Sequence, residues 1–268
     1  MDAITRHRLK LLALEAGPVA RLRGRARLAA VYRGFLAVAP YENLSNQLAV
    51  QRAPGEPSAW PRGTDLVLRE RARHGLGGTS FSLAYTLCDL FRGLGAQAHC
   101  ALGHNLVTEE GHAVVLAWDD EGPWLYDPSL LLPEPVPCRP GAAVHDALGR
   151  VALEARCGST LTLRLQALGE PARAVYSLLP SPAPPDAFRQ AWVASFHRGR
   201  PAPLRIARRV GHEIRRYGER PATLEVLRPD GRVEVPTGPA PVDLLHRSFG
   251  IDAGLLREWF ARPGRLGG

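Results

Sequence analysis

Three residues of this chain have the types and the order that a covalent reaction requires. Ser80 follows a Gly-Gly-Thr turn and opens an apolar segment, and His112 and Asp127 come later in the chain. In that order they provide a nucleophile, a general base and an acid that orients the base. The free N–H groups and the positive dipole end of a helix start would favour negative charge developing at Ser80. The simpler alternative is that Ser80 only caps the helix, since Ser is a preferred N-cap residue.

The surrounding pattern predicts how His112 and Asp127 meet. Residues 112–118 and 123–127 read as two short strands, and the segment Asp119-Asp-Glu-Gly122 between them is typical of a hairpin loop. An antiparallel hairpin brings the start of its first strand to the end of its second. We therefore expect the imidazole and the carboxylate to be neighbours although they are 15 residues apart in the sequence.

The elements before the hairpin are predicted to be mainly helical. A helix is expected within residues 21–38, where apolar residues follow three-four spacing, and Pro40 ends it. Residues 51–64 are rich in Pro and Gly and are predicted to form a loop. The helix after Ser80, over 81–93, has two apolar stripes and should therefore be buried. The stripes are Leu83, Leu87, Leu90 and Leu94, and Phe81, Ala84, Cys88 and Phe91.

Further elements are predicted downstream. We expect strands at 161–167 and 174–178, followed by a Pro-rich linker over 180–185. Asp186 is predicted to cap a helix that continues to about His197. A second hairpin is expected at 223–228 and 232–235, and one or two helices over 242–262.

Composition indicates a globular protein. Of the 268 residues, 45% are apolar, and no apolar run is long enough to span a membrane. The first residues lack the layout of a cleavable signal, so we expect no membrane association and a cytoplasmic location. The cysteines are neither closely paired nor dense, which predicts reduced, mostly structural thiols and no bound metal. They are Cys88, Cys100, Cys138 and Cys157.

The net charge of +8 comes from 33 Arg and a single Lys, Lys10. No nucleic-acid module accompanies these arginines, so nucleic acid is not an expected partner. A phosphate-bearing cosubstrate is compatible with a basic cluster in the C-terminal third, although a solvated basic face explains the cluster equally well. Its members are Arg198, Arg200, Arg205, Arg208, Arg209, Arg215 and Arg216.

Five motifs in order resemble those of the arylamine N-acetyltransferase family. The segment Pro40-Tyr41-Glu42-Asn43-Leu44 is similar to the family's Pro-Phe-Glu-Asn-Leu, and residues 77–81 fall where the family has two glycines, an aromatic residue, the catalytic Cys and Phe. His112 matches a histidine at a strand start, and Tyr126-Asp127 matches Val-Asp. C-terminal matches are Trp192 within 188–196, the Asp230-Gly231 turn, and 244–251 ending in Phe-Gly-Ile.

The resemblance implies an α+β fold with an N-terminal helical bundle, a central antiparallel β-barrel and a C-terminal α/β lid. The implied units are 1–95, carrying the nucleophile, 96–185, carrying His and Asp, and 186–268. The resemblance also implies ping-pong transfer of an acyl group from acetyl-CoA or another thioester, including one bound to a carrier protein. The acceptor would be an amine or a hydroxyl of a xenobiotic or of a secondary metabolite, and Gly77, Gly78 and Thr79 would contact the donor.

The departures from the family pattern concern chemistry and specificity. Ser80 stands where the family has the catalytic Cys, Leu76 where it usually has Arg, and Ser82 where it has Glu. Residues 128–130, Pro-Ser-Leu, replace the family's Val-Gly-Phe-Gly. A cysteine beside His can rest as a thiolate. A serine cannot, so its proton must leave during attack, with His112 as general base.

Three functions remain open from the sequence. The chain could be an acyltransferase with a Ser-His-Asp triad, an esterase or hydrolase with the same triad, or a binding protein that has lost catalysis. His74, His99 and His104 also flank the site, but a lone His is more often structural. Cys88, two turns along the helix from Ser80, belongs to a buried stripe and is not the expected nucleophile.

Overall fold

A computed structural model gives the fold and describes residues 1–106, 111–167, 169–197, 203–218, 222–238 and 240–261. The fold is α+β and has a helical bundle, an antiparallel β-barrel and an α/β lid, as predicted. The division at residues 95 and 185 stays a prediction.

The bundle is formed by helices within the first 93 residues, with a short 3₁₀ turn at Pro57–Ala59. Its third helix buries Leu28, Val31 and Phe35, which belong to the predicted apolar face, and Val38 is half-buried. The bundle helices are α1 (Ala3–Leu11), α2 (Ala16–Arg21), α3 (Gly24–Val38), α4 (Leu44–Arg52), α5 (Thr64–His74) and α6 (Ser80–Gly93).

Helix α6 is the element that carries Ser80, and it is buried over most of its circumference. Both predicted stripes are inside the core except Leu94, which is half-buried just past the helix end. One side of α6 packs on α1, α3 and α5, and the other packs on the first barrel strands. A helix enclosed in this way holds its first residue in a fixed position relative to the barrel.

The barrel is an eight-stranded antiparallel sheet in the order β5-β4-β3-β2-β9-β8-β7-β6. Contacts between β5 and β6, the two edges, nearly close it. Its strands are β2 (Ala98–Asn105), β3 (Gly111–Asp119), β4 (Gly122–Tyr126), β5 (Val136–Pro137), β6 (Ala143–Asp146), β7 (Gly149–Ala155), β8 (Leu161–Ala167) and β9 (Arg173–Leu178).

The lid contains a five-stranded antiparallel sheet that begins in the bundle. A short strand β1 (Tyr41–Glu42) pairs with β10 (Ile206–Val210), and β11 (Glu213–Tyr217), β12 (Thr223–Arg228) and β13 (Gly231–Pro236) follow. Helices α8 (Val242–Phe249) and α9 (Ala253–Phe260) pack on this sheet, and α7 (Pro185–His197) contacts β2 and β3. The pairing of β1 with β10 connects the lid to Tyr41 and Glu42, which lie beside the Gly77-Gly78-Thr79 turn before Ser80.

The structure corrects two local predictions. Asp186 is not a cap, because α7 already begins at Pro185 and Asp186 lies in its first turn. The ring of proline fixes φ near the helical value, so Pro is favourable at a helix start. The predicted 51–64 loop is interrupted by the 3₁₀ turn and is flanked by helices that reach Arg52 and begin at Thr64. Both hairpins are confirmed. Arg262, the predicted end of the last helix, lies outside the described residues.

Candidate active site

The turn before α6 is fixed by contacts with the strand entering α4. The Gly78 N–H donates to the Pro40 carbonyl (3.3 Å), and the Glu42 N–H donates to the Gly78 carbonyl (3.0 Å). A Cβ at Gly77 would lie 1.9 Å from the Pro40 oxygen, and one at Gly78 would lie 2.6 Å from the Ser82 Cβ. Both glycines are therefore required by the close approach of backbone and side chain.

Ser80 is the first residue of α6, and the N-cap position belongs to Thr79. The capping alternative for Ser80 is therefore wrong, and Thr79 makes no side-chain cap bond either. Ser80 is 7% exposed and lines a pocket beside this turn. It lies in the first turn of the helix, where the backbone N–H groups have no partner within the helix.

Arg62 contacts the turn before Ser80, and no pattern in the sequence indicated this contact. It is 2% exposed and donates to the Gly77 carbonyl (2.7 Å) and to Glu70 (2.7 Å). Burial alone would raise the pKa of Glu70, but a hydrogen bond from Arg52 and the charge of Arg62 outweigh it and lower that pKa. A cation from the loop before α5 thus supports the turn, while Leu76, in the family's Arg position, is apolar and buried.

His112 and Asp127 form a buried hydrogen-bonded pair, as predicted from the hairpin. The β3–β4 register pairs Val115 with Tyr126, so the start of β3 lies beside the residue after β4. His112 Nε2 is 2.8 Å from Asp127 Oδ2, and Asp127 is fully buried. A carboxylate accepts only, so Nε2 carries the proton in this bond. Nδ1 is then the ring nitrogen left to act as a base.

Asp127 is held by further donors on its second oxygen. The Ser129 N–H (3.0 Å), the Ser129 hydroxyl (2.7 Å) and the Leu130 N–H (3.1 Å) all donate to Oδ1. Burial acts to raise the pKa of Asp127, but the charge of His112 and these hydrogen bonds outweigh it and lower the pKa. Asp127 is therefore ionised at neutral pH. The Tyr32 hydroxyl also fixes its backbone by donating to the Asp127 carbonyl (2.9 Å).

Tyr176, on β9, supports the imidazole from its face. Its ring lies nearly parallel to the ring of His112, with centroids 4.4 Å apart. Burial, followed by the charge of Asp127, raises the pKa of Tyr176, so its phenol is neutral. The stacked ring limits the tilt of His112 about its bond to Asp127.

Ser80 and His112 line one pocket of about 380 Å³ at the junction of bundle, barrel and lid. Thr79, one of the predicted donor-binding residues, also lines it, whereas Gly77 and Gly78 do not. Three arginines, Arg173, Arg205 and Arg216, face the pocket, and no carboxylate does so among the described residues.

The basic cluster predicted from the sequence divides in the structure. Arg205 and Arg216 line the pocket. Arg208 and Arg215 bond backbone carbonyls of other elements, and Arg209 is buried against Asp146. Arg198 and Arg200 lie outside the described residues. Two members of the cluster are thus placed to meet an anion, and three others tie elements together.

The other flanking residues do not reach the pocket. His74, His99 and His104 do not line it, and His99 packs edge-on against Trp118. Cys88 is 1% exposed within the core and does not line it either. Cys88, Cys100, Cys138 and Cys157 are all free thiols. In the part of the chain that the structure describes, no group of three or more His, Cys, Asp or Glu could hold a metal ion.

The fold of this chain, with its helical bundle, barrel and lid, is similar to that of arylamine N-acetyltransferases of known structure. The enzyme from Salmonella typhimurium superposes with a TM-score of 0.78 and 15% identity, over 97% of this chain and 99% of that chain. The enzyme from M. tuberculosis superposes with a TM-score of 0.76 and 17% identity, over 97% and 100%. The Mycobacterium marinum enzyme solved in complex with CoA gives 0.73 and 18%, over 96% and 95%.

No protein-family model matches the chain, and no curated protein sequence matches it significantly. The likeness is therefore one of fold. No helix among the described residues is both long and apolar enough to cross a membrane.

Proposed function

We propose that this protein is an N-acetyltransferase-like acyltransferase that works through Ser80, His112 and Asp127. The observation that carries the proposal is the buried His112–Asp127 pair, whose imidazole lines the same pocket as a serine at a helix start. A protein that kept only the fold for binding would have no need of this hydrogen-bonded carboxylate and imidazole inside its core. Fold neighbours that are acetyltransferases support the same class of reaction.

In the first half-reaction, His112 Nδ1 removes the proton of the Ser80 hydroxyl as Oγ attacks the carbonyl carbon of a thioester. The C–S bond then breaks, and the leaving thiolate takes the proton from His112. Asp127 keeps the proton on Nε2 and stabilises the imidazolium that forms in between. The N–H groups at the start of α6, next to Thr79 and Gly78, stabilise the oxyanion.

In the second half-reaction, an amine or hydroxyl acceptor attacks the acyl ester of Ser80. His112 takes the acceptor's proton and returns it to Ser80 Oγ when the ester bond breaks. An oxygen ester is a poorer acyl donor than a thioester. Transfer to weakly nucleophilic arylamines is therefore slow. Strongly nucleophilic amines, or water, compete with the arylamine for the acyl group on Ser80.

The charge of the pocket supports a phosphate-bearing donor such as acetyl-CoA or a carrier-bound thioester. Arg173 and Arg205 face the pocket. None of the described residues that line the pocket is an Asp or Glu that would repel an anion. Arginine binds phosphate in a planar, two-pronged geometry. We expect Arg173→Gln and Arg205→Gln to raise KM for acyl-CoA more than for an uncharged ester. Arg164→Gln, outside the pocket on β8, is the matched control and should leave KM unchanged.

Intact-mass measurement after incubation with acyl-CoA and ester panels tests the proposal. The parent protein should gain one acyl group, and Ser80→Ala should gain none. Ser82→Ala, two residues further along the same helix and buried, is the control and should acylate like the parent. An adduct that persists in Ser80→Ala would contradict the site.

Two further outcomes separate the alternatives. Acylation of Ser80→Cys without any acylation of the parent would identify a disabled enzyme. Adduct decay at one rate with and without amine would identify a hydrolase, whereas decay that accelerates with amine concentration supports transfer. An arylamine rate of the parent equal to that of Ser80→Cys would refute the slow-transfer argument.

A further inference from the structure

A second, smaller cavity of about 90 Å³ adjoins the pocket that contains Ser80. Leu130, Leu131, Leu165, Arg173 and Arg216 line both, so the two are adjacent, while Ser80 and His112 line only the larger one. Beyond the shared residues, the walls are largely apolar and come from barrel and lid. The apolar residues there include Val144, Leu148, Val151, Ile214 and Leu227.

The carboxylates at the border of this cavity are neutralised by arginines. The pairs are Glu134 with Arg33 (2.8 Å), Asp146 with Arg209 (2.5 Å) and Glu170 with Arg232 (2.7 Å). A carboxylate in a salt bridge exerts a smaller field on its surroundings than an isolated one. The wall between these pairs therefore carries little net charge, and the other two lining arginines, Arg173 and Arg216, lie at the border shared with the Ser80 pocket.

Leu131 separates the two cavities in an unusual conformation. Its φ is +59°, in the left-handed region that side chains with a Cβ rarely adopt, and its side chain is 1% exposed. The Arg209 Nε donates to its carbonyl at 2.8 Å, which holds the conformation. Such strain persists where the surroundings impose it and is concentrated at ligand sites. This loop follows Asp127 directly, so its shape is coupled to the candidate catalytic residues.

We propose that this cavity binds the carbon chain of the transferred acyl group and that the protein prefers a short, unbranched, uncharged acyl chain longer than acetyl. This inference rests on the proposed function. The acyl group is the part of the donor that stays on Ser80 between the two half-reactions. An apolar recess that adjoins the pocket and is bounded by paired charges stabilises that bound chain.

The volume sets the length of the chain. A water molecule occupies about 30 Å³ in the liquid, so a cavity of about 90 Å³ admits only a few groups of that size. A butanoyl group has three carbons beyond its carbonyl, and we expect the outer end of this chain to reach the cavity. Each buried methylene should raise the acylation rate about fourfold. Butanoyl-CoA, with two more than acetyl-CoA, should acylate Ser80 about 16-fold faster, and octanoyl-CoA should be slower than butanoyl-CoA.

Rapid-quench intact-mass measurement of the butanoyl-to-acetyl rate ratio tests the proposal. Val144→Phe and Leu227→Phe each place a ring in the cavity from a different strand and should reduce the ratio from about 16 to about 1. Val233→Phe is the matched control. It lies exposed on β13, lines neither cavity, and should keep the parent ratio.

The outcomes are distinguishable. A butanoyl-to-acetyl rate ratio of 1 or less in the parent protein would overturn the acyl-chain cavity. So would a ratio that stays at the parent value in both Val144→Phe and Leu227→Phe. Either result leaves the acylation of Ser80 intact. Absence of any adduct with every donor, acetyl-CoA included, refutes the proposed function and this inference with it. If one filled variant fails to fold, the other still decides, because the two substitutions lie in different sheets.

Discussion

Replacing Asp127 by Asn should nearly abolish acylation of Ser80 while leaving the fold intact. The amide is isosteric, and its oxygen can still accept from Ser129 and Leu130. Its NH₂ group then faces His112 Nε2, which must become an acceptor. The ring proton is forced onto Nδ1, the nitrogen that should take the proton of Ser80.

The wrong tautomer is the dominant effect. In a Ser-His-Asp triad this change costs about 10⁴-fold in rate, which equals about 5.4 kcal/mol at 1.36 kcal/mol per tenfold. The loss of charge-assisted hydrogen bonds costs about 1.5–3 kcal/mol of stability. A domain of ordinary stability, about 5–15 kcal/mol, survives that loss.

The assay is the single-turnover rate of Ser80 acylation, followed by quenched intact mass. Asp119→Asn is the matched control, because Asp119 lies at the other end of the same hairpin and also accepts two N–H bonds, from Glu121 and Trp124, both at 2.9 Å. It should acylate like the parent. Acylation of Asp127→Asn within tenfold of the parent rate would refute the assignment of Asp127 as the residue that orients the base.

Three other changes have definite expected results. Gly77→Ala should lower the free energy of unfolding by about 3 kcal/mol in urea titration, because its Cβ would lie 1.9 Å from a carbonyl oxygen. Gly17→Ala, where a Cβ would meet no atom within 4 Å, should lower it much less. Ser129→Ala removes a hydrogen bond that lowers the pKa of Asp127, so that pKa rises and the acid limb of the acylation rate should move to higher pH; an unshifted limb would contradict this. Cys157 is exposed and should react first with a thiol reagent, and Cys157→Ser should remove that fast phase.

The hairpin with His112 and Asp127 could be predicted because its determinants are local. Two short apolar runs predict β3 and β4, and the polar loop between them predicts that they pair as a hairpin. The same is true of α6, whose two apolar stripes predict burial on both sides. Ser129 could also have been found, since an Asp followed two residues later by a hydroxyl is a common side-chain turn.

Arg62 and Tyr176 could not be predicted in this way. Arg62 comes from a loop 15 residues before the carbonyl of Gly77 that it bonds. Tyr176 reaches His112 only because β9 lies next to β2, which in turn pairs with β3. Their roles depend on which strands and loops become neighbours after folding. No local pattern in one sequence records that.

The cavity beyond Leu131 is a still less local feature. Its walls come from four strands of the barrel, β6 to β9, and four of the lid, β10 to β13, together with the loop that follows Asp127. Its apolar lining residues read as ordinary core residues, each in its own strand. The space exists because two sheets and a strained loop do not fill the volume between them, which is a property of packing alone.

The sequence by itself identified Ser80 as a candidate nucleophile and determined the hairpin that brings His112 to Asp127. These follow from residue types and from short-range patterns, which act within a few residues along the chain, whereas the order of bundle, barrel and lid was implied by the resemblance to a known family. The tertiary structure decided that Ser80 is not the helix cap, that Arg62 supports its turn, and that an apolar cavity adjoins its pocket. Those features arise from contacts between distant segments, which form only when the whole chain is packed.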